Sequence, residues 1–112
     1  MTALYDPITH RVVAGAASVR LSPGQGAILH TLIEADDDGL TRVQIHKRVF
    51  RDKTDGVPKI KIVDVQLYHL RNRLARLDVG IGIETLRESG SPARYVLAVP
   101  LEIGTGAEGA HA

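Results

Sequence analysis

Lys61, Val65, Tyr68, Asn72 and Arg76, with His69 beside them, fall along one line when residues 58–77 are wound as a helix. The line offers cations, an amide, an imidazole and a phenol, and no row of acids balances it. Such a set suits a polyanion: charged groups neutralise phosphates, while neutral polar groups and a valine can meet base edges. At 1.5 Å per residue the segment is ~30 Å long. That length fits a helix laid in or across the major groove of DNA.

Other chemistry finds little support. His10, His30, His46, His69 and His111 fall on different predicted elements, and His30 with Glu34 is a single i,i+4 pair. A zinc site needs further convergent ligands. There is no cysteine, which excludes disulfides, thiolate metal sites and a cysteine nucleophile, and fits a reducing cytosol. The serines stand at turns and caps without a nucleophile-elbow pattern. Asp36-Asp37-Asp38-Gly39 reads as a solvated turn, since three consecutive carboxylates do not converge on one ion without a dedicated loop. No enzyme activity, metal or cofactor is expected.

Charge is unevenly divided. The formal net charge is +1, yet residues 41–77 carry ten Lys/Arg against Asp52, Asp55 and Asp64, a net of +7. The remainder carries four basic and ten acidic groups, a net of −6. That asymmetry is an electrostatic footprint for a polyanionic partner. The 112 residues suffice for one domain. No apolar run approaches the ~20 residues of a bilayer span and no basic-then-apolar leader opens the chain, so no membrane association is expected.

The elements that position the cationic line follow from periodicity. Ile60, Val63, Leu67, Leu70, Leu74 and Leu77 recur at spacings of three and four, giving the 58–77 helix a buried stripe opposite its polar line. Pro58 opens that helix. Upstream, residues 3–21 alternate loosely, broken by Asp6-Pro7 and Gly15, as two or three short antiparallel strands would. Ser22-Pro23-Gly24-Gln25 combines a cap, an N1 proline and a capping-box acceptor ahead of Ile28, Leu29, Leu32 and Ile33. Thr41-x-x-Gln44 repeats the capping box before a short helix with Val43, Ile45, Val49 and Phe50 as inward candidates. Residues 51–57 form a polar loop. After Leu77 the period becomes two: Ile81, Ile83 and Thr85, a polar turn over 87–94, then Tyr95, Leu97 and Val99, which predicts a hairpin. Gly80-Ile81-Gly82 precedes no helix and is not a nucleotide loop. The expected architecture is α+β: short N-terminal antiparallel strands, three helices and a C-terminal β-hairpin, a winged helix-turn-helix over residues 1–102 with a flexible tail at 103–112.

Residues ~18–99 resemble the effector domain of OmpR/PhoB-type bacterial response regulators. VRLSPGQGAILHTLIEA is similar to the family's strand and helix start, LTRVQIHKRVF to its second helix, IVDVQLYHLRNRLA to its recognition helix, and IETLRES with ARYVL to its wing. The Pro-x-x-Lys-Ile-x-Asp-Val run over 58–65 is most similar to the version in alphaproteobacterial cell-cycle regulators of the CtrA type. Two departures stand out. No stretch resembles a receiver domain, so phosphorylation-driven dimerisation of that kind is not expected. At the wing tip Arg87 is followed by Glu88 rather than glycine, and a carboxylate near a phosphate is repulsive.

The resemblance implies site roles. Base reading falls to Lys61, Asp64, Val65, Tyr68 and His69, with Val65 against a thymine methyl and Lys61 toward guanine acceptors. Tyr68 and His69 stand where the family commonly has arginine. Phosphate contacts fall to Gln66, Arg71 and Arg73, with Arg42 and Lys47 clamping the opposite backbone, and Arg87 and Arg94 serve the wing. Each has a plainer reading. Asp64 can pair with Lys61 or Arg71, Tyr68 can fold over the helix edge as partial core, and His69 can be an ordinary surface residue. The implied protein is a cytoplasmic, nucleoid-associated transcriptional regulator of double-stranded DNA, a monomer or weak dimer on tandem half-sites. The alternative is a winged-helix interaction module for RNA polymerase, through loop 51–57, or for another regulator; a phage or mobile-element regulator, or an antagonist of a full-length relative, fits equally.

Overall fold

The computed structural model describes residues 3–35, 37–77 and 81–104. Three N-terminal strands, β1 (Ala3–Asp6), β2 (Arg11–Ala14) and β3 (Ala17–Arg20), form an antiparallel meander with Tyr5 opposite Val12 and Val12 opposite Val19. The period of two puts Ala3, Tyr5, Val12, Ala14 and Val19 on the core face. Asp6 closes the first turn by accepting from the Ile8 and Thr9 amides at 2.9 and 3.4 Å.

A fourth strand, β7 (Leu101–Ile103), adds to the free edge of β1 in parallel, Leu101 opposite Ala3 and Ile103 opposite Tyr5. Sequence periodicity does not reveal it, because three residues are too few for alternation to register. Ile103, expected at the start of a tail, is in this strand, and Gly104 donates to the Tyr5 carbonyl at 3.0 Å. The rest of the expected tail lies outside the described residues.

Both capping boxes form as the sequence implies. Ser22 and Gln25 exchange bonds at the start of α1 (Pro23–Glu34), and Thr41 and Gln44 at the start of α2 (Arg42–Val49). Ile28, Leu29 and Leu32 of α1 and Ile45 of α2 enter the core. Val43 does not: it is 47% exposed, a correction to its expected inward position. On an eight-residue helix Ile45 and Val49 suffice to face α1, and Val43 lies off their side.

The third helix, α3 (Lys61–Leu74), starts three residues later than expected. Pro58 is held outside it because its carbonyl oxygen binds His46 Nε2 at 2.7 Å, which fastens the 51–60 segment to α2. The helix then opens through Ile62 N to Lys59 O and Val63 N to Ile60 O, with no side-chain cap. A 3-10 turn, Ala75–Leu77, continues it. Val63, Leu67, Leu70, Leu74 and Leu77 are buried, so the predicted stripe is the observed one, with Ile60 half-buried.

Gly26 lets α1 close on the meander. A Cβ there would collide with the Tyr5 hydroxyl and lie 2.9 Å from His10 Nδ1. Tyr5 and His10 meet over that bare backbone at 3.3 Å.

The hairpin is β5 (Ile83–Leu86) and β6 (Arg94–Leu97), with Thr85 opposite Tyr95. A two-residue strand, β4 (Leu40–Thr41), pairs with β6 and makes a three-stranded sheet in the order β4-β6-β5. Gly39, before β4, has φ +75, and a Cβ there would stand 2.5 Å from the Tyr95 carbonyl oxygen. Three helices, a preceding meander and a hairpin beside α3 constitute the α+β winged helix-turn-helix expected from sequence.

Candidate nucleic-acid interface

The outward face of α3 is open. Lys61, Val65, Tyr68, His69 and Asn72 are all exposed, Tyr68 by 64% and Val65 by 43%. Tyr68 therefore does not fold into the core edge. Its ring meets His69 edge-on, centroids 5.4 Å apart, so the two aromatic groups stand as one unit.

Asp64 is engaged. Its Oδ2 accepts from Arg42 Nη1 at 2.7 Å, pairing neither with Lys61 nor with Arg71 in any described contact. The partner comes from the first turn of α2, a residue whose reach across to α3 sequence spacing does not disclose.

Gln66 faces the protein rather than solvent. It lies with Gly24, Ala27, Ile28, Phe50 and Ile62 around a cavity of about 240 Å³. A methyl at Gly24 would come within 3.0 Å of Gln66 Nε2, and Gln66 Oε1 is buried with no hydrogen-bond partner among the described residues. This side chain is turned inward, away from the exposed cations with which it was grouped as a phosphate contact.

Arg71 is half-buried against the wing. Its Nε donates to the Ile83 carbonyl at 3.2 Å, a terminal nitrogen donates to Thr85 Oγ1 at 2.7 Å, and the guanidinium lies 5.7 Å from the centre of the Tyr95 ring. Thr85 and Tyr95 thus form the seat of Arg71, and neither was singled out from sequence. That each stands in an alternating strand of the hairpin is legible; their register, and the arginine that α3 sends onto that face, are not.

The remaining cations are dispersed around this core of contacts. Lys47 on α2 is exposed, and Arg73 is exposed with Nη1 at 3.5 Å from the Arg20 carbonyl. Arg87 and Arg94 are exposed at the two ends of the wing turn, which closes through Ser91 N to Glu88 O at 3.1 Å. Arg42 and Arg87 both line a cleft of about 570 Å³ that Asp64 and Tyr95 also border. Glu88 shares a separate hollow with Asp37, Asp38 and Arg94, so at this flank of the wing three acids surround one of its two arginines. Among the described residues no three His, Asp or Glu side chains gather as a metal site requires. No helix among them is long and apolar enough to cross a membrane.

The family model described as "Transcriptional regulatory protein, C terminal" matches residues 16–90. The response regulator protein PmrA of Pseudomonas aeruginosa is 32% identical over 81 residues, which are 69% of this chain. The chain spans 36% of that protein's length. Two solved structures share the fold. The DNA-binding domain of Escherichia coli CadC has a TM-score of 0.64 at 17% identity, covering 84% of this chain and 83% of that one. The DNA-binding domain of the response regulator AdeR, in complex with an intercistronic region, has a TM-score of 0.61 at 19% identity, covering 89% and 96%. A match that takes in both capped helices, α3 and the first wing strand places the chain among the transcriptional regulatory protein C-terminal domains, the OmpR/PhoB-type winged helix-turn-helix family.

Proposed function

We propose that this domain binds double-stranded DNA and regulates transcription, with α3 in the major groove and the β5–β6 hairpin along the flanking backbone. The observation that carries the reading is the exposed face of Lys61, Val65, Tyr68, His69 and Asn72 beside that hairpin. Lys61, Val65, Tyr68 and His69 contact bases. Lys47, Arg73, Arg87 and Arg94 meet phosphates, and Arg42 joins them with the part of its guanidinium that Asp64 leaves open. One module of this kind covers about 600–1,000 Å², so tandem half-sites or a second protein supply the remaining affinity. The AdeR domain, whose solved complex contains an intercistronic region, supports duplex DNA as the partner.

A salt titration of duplex retention tests this. With about 4–6 phosphates neutralised, log K falls by ~0.9 per phosphate per decade of salt. Lys47→Ala lowers that slope by about 1 without changing sequence preference. Retention that ignores salt refutes the mechanism. A second reading, docking to RNA polymerase, draws on loop 51–57: all seven residues are exposed, and its base is fixed by the His46–Pro58 bond. Polymerase capture that survives Lys61→Glu but not Asp55→Arg would favour that reading.

A further inference from the structure

We infer that the cavity between α1, α3 and the end of α2 is a binding site for a small, uncharged ring compound with one carbonyl acceptor, held by the Gln66 amide. The site is distinct from the exposed face of α3 and does not depend on the DNA reading.

Size and lining set the class of ligand. The cavity measures about 240 Å³. A cavity of ~150 Å³ with an apolar lining takes benzene, and sites for drug-sized ligands begin near ~300 Å³, so one ring or two fused rings fit here. Ala27 and Ile28 of α1, Phe50 at the end of α2, and Ile62 and Val63 of α3 supply carbon walls. No charged side chain lines the space. An ionised ligand would leave water without a counter-charge, which burial of a small ring does not offset.

Gln66 is the only polar side chain in that lining. Its Oε1 is buried with no hydrogen-bond partner among the described residues. Its Nε2 stands at the Gly24 wall, where a methyl would come within 3.0 Å of it. The nitrogen is therefore the end that a ligand can meet, and it is a donor. One carbonyl oxygen matches it. Water is a poorer match, because a buried water makes about three hydrogen bonds and the side chains here supply one partner.

The walls are held before any ligand arrives. The Phe50 amide donates to the His46 carbonyl at 3.1 Å, and the two rings lie 5.1 Å apart between centroids. His46 is in turn bonded to the Pro58 carbonyl at 2.7 Å. Across the cavity, the Ile62 amide donates to the Lys59 carbonyl at 3.0 Å. Little ordering is left for binding to impose.

The test titrates the full chain, labelled with nitrogen-15, with 1-indanone and with indane, its analogue without the oxygen. 1-Indanone shifts the amide resonances of Gly24, Ile28, Phe50 and Gln66, with a Kd on the order of 0.1–1 mM. Indane is the greasier molecule, so the deciding quantity is the ratio of the two Kd values. Gln66→Leu keeps the bulk and removes the donor, and it lowers the preference for 1-indanone over indane roughly three- to tenfold, the worth of one hydrogen bond. That variant also removes a buried unpartnered oxygen, so it folds. Ala27→Leu fills the space and abolishes the shifts from both compounds. No shifts up to the solubility limit, shifts on the outward face of α3 or on the wing instead, or an unchanged ratio in Gln66→Leu each overturn the inference. None of those results touches the DNA reading, because the titration contains no duplex.

Discussion

Asp64 Oδ2 lies 2.7 Å from Arg42 Nη1, so α3 is fastened to α2 by a charge pair in which each member neutralises the other. Both side chains are about half exposed, 50% and 41%, and pairs in such positions contribute about 0–1 kcal/mol to stability. Asp64→Asn is expected to change the unfolding free energy by less than about 1 kcal/mol. It frees Arg42 and leaves the selected base sequence as it was. A selection experiment in which one base preference disappears would instead give Asp64 a reading role.

Arg71 is expected to matter more through its geometry than its charge. A lysine keeps the cation but cannot reach both Ile83 O and Thr85 Oγ1. Arg71→Lys is expected to cost about 1–2 kcal/mol, and Thr85→Val a similar amount, by urea denaturation. The double substitution is expected to cost clearly less than the two combined, because both remove one shared contact. Strict additivity would mean that Thr85 and Arg71 act independently.

Gly26→Ala sets helix propensity against packing. Alanine is favoured by up to ~1 kcal/mol in a helix interior, yet the new methyl meets the Tyr5 hydroxyl and His10 Nδ1. Overpacking of this kind costs about 1–3 kcal/mol, so a net loss is expected in thermal unfolding. Adding Tyr5→Phe, which deletes the obstructing hydroxyl, recovers part of it. A gain in melting temperature on Gly26→Ala alone would show that the meander can move away from α1 at little cost.

Burial raises the Tyr5 phenol above its ordinary 10.0, and the neighbouring Asp6 carboxylate adds to the effect. The unfolded chain therefore loses this proton at lower pH than the folded one. Above about pH 10 the unfolded state holds fewer protons, and the folded state loses stability as pH climbs toward the raised value. Urea midpoints taken across that range should fall more steeply for the wild type than for Tyr5→Phe. Parallel curves would exclude Tyr5 as the responsible group.

Much of this architecture is written in local pattern. The α3 stripe from Val63 to Leu77, the two capping boxes and the hairpin alternation through Thr85 and Tyr95 are all short-range signals, and each corresponds to an observed element. What the pattern does not carry is set by partners distant in the chain. Pro58 looks like a helix start until His46 takes its carbonyl. Val43 looks apolar enough to be core, but it lies off the Ile45–Val49 side of a two-turn helix and borders an open cleft instead. The site divides in the same way. Lys61, Val65, Tyr68 and His69 are exposed because they oppose the stripe, which spacing reveals. Asp64, Gln66 and Arg71 meet Arg42, Gly24 and Thr85 through tertiary contacts, which spacing does not.

The parallel match of Leu101 with Ala3 makes the first described strand wait for the last one. During synthesis the meander emerges before β7, with a row of amides and carbonyls on β1 that β7 does not yet occupy. Loop-closure entropy grows only logarithmically with length, so the delay is set by ribosomal elongation and not by the thermodynamics of joining the two ends. Nascent chains stopped before Leu101 would offer that bare rim to any extended peptide nearby, whereas those released just beyond Gly104 would seal it themselves.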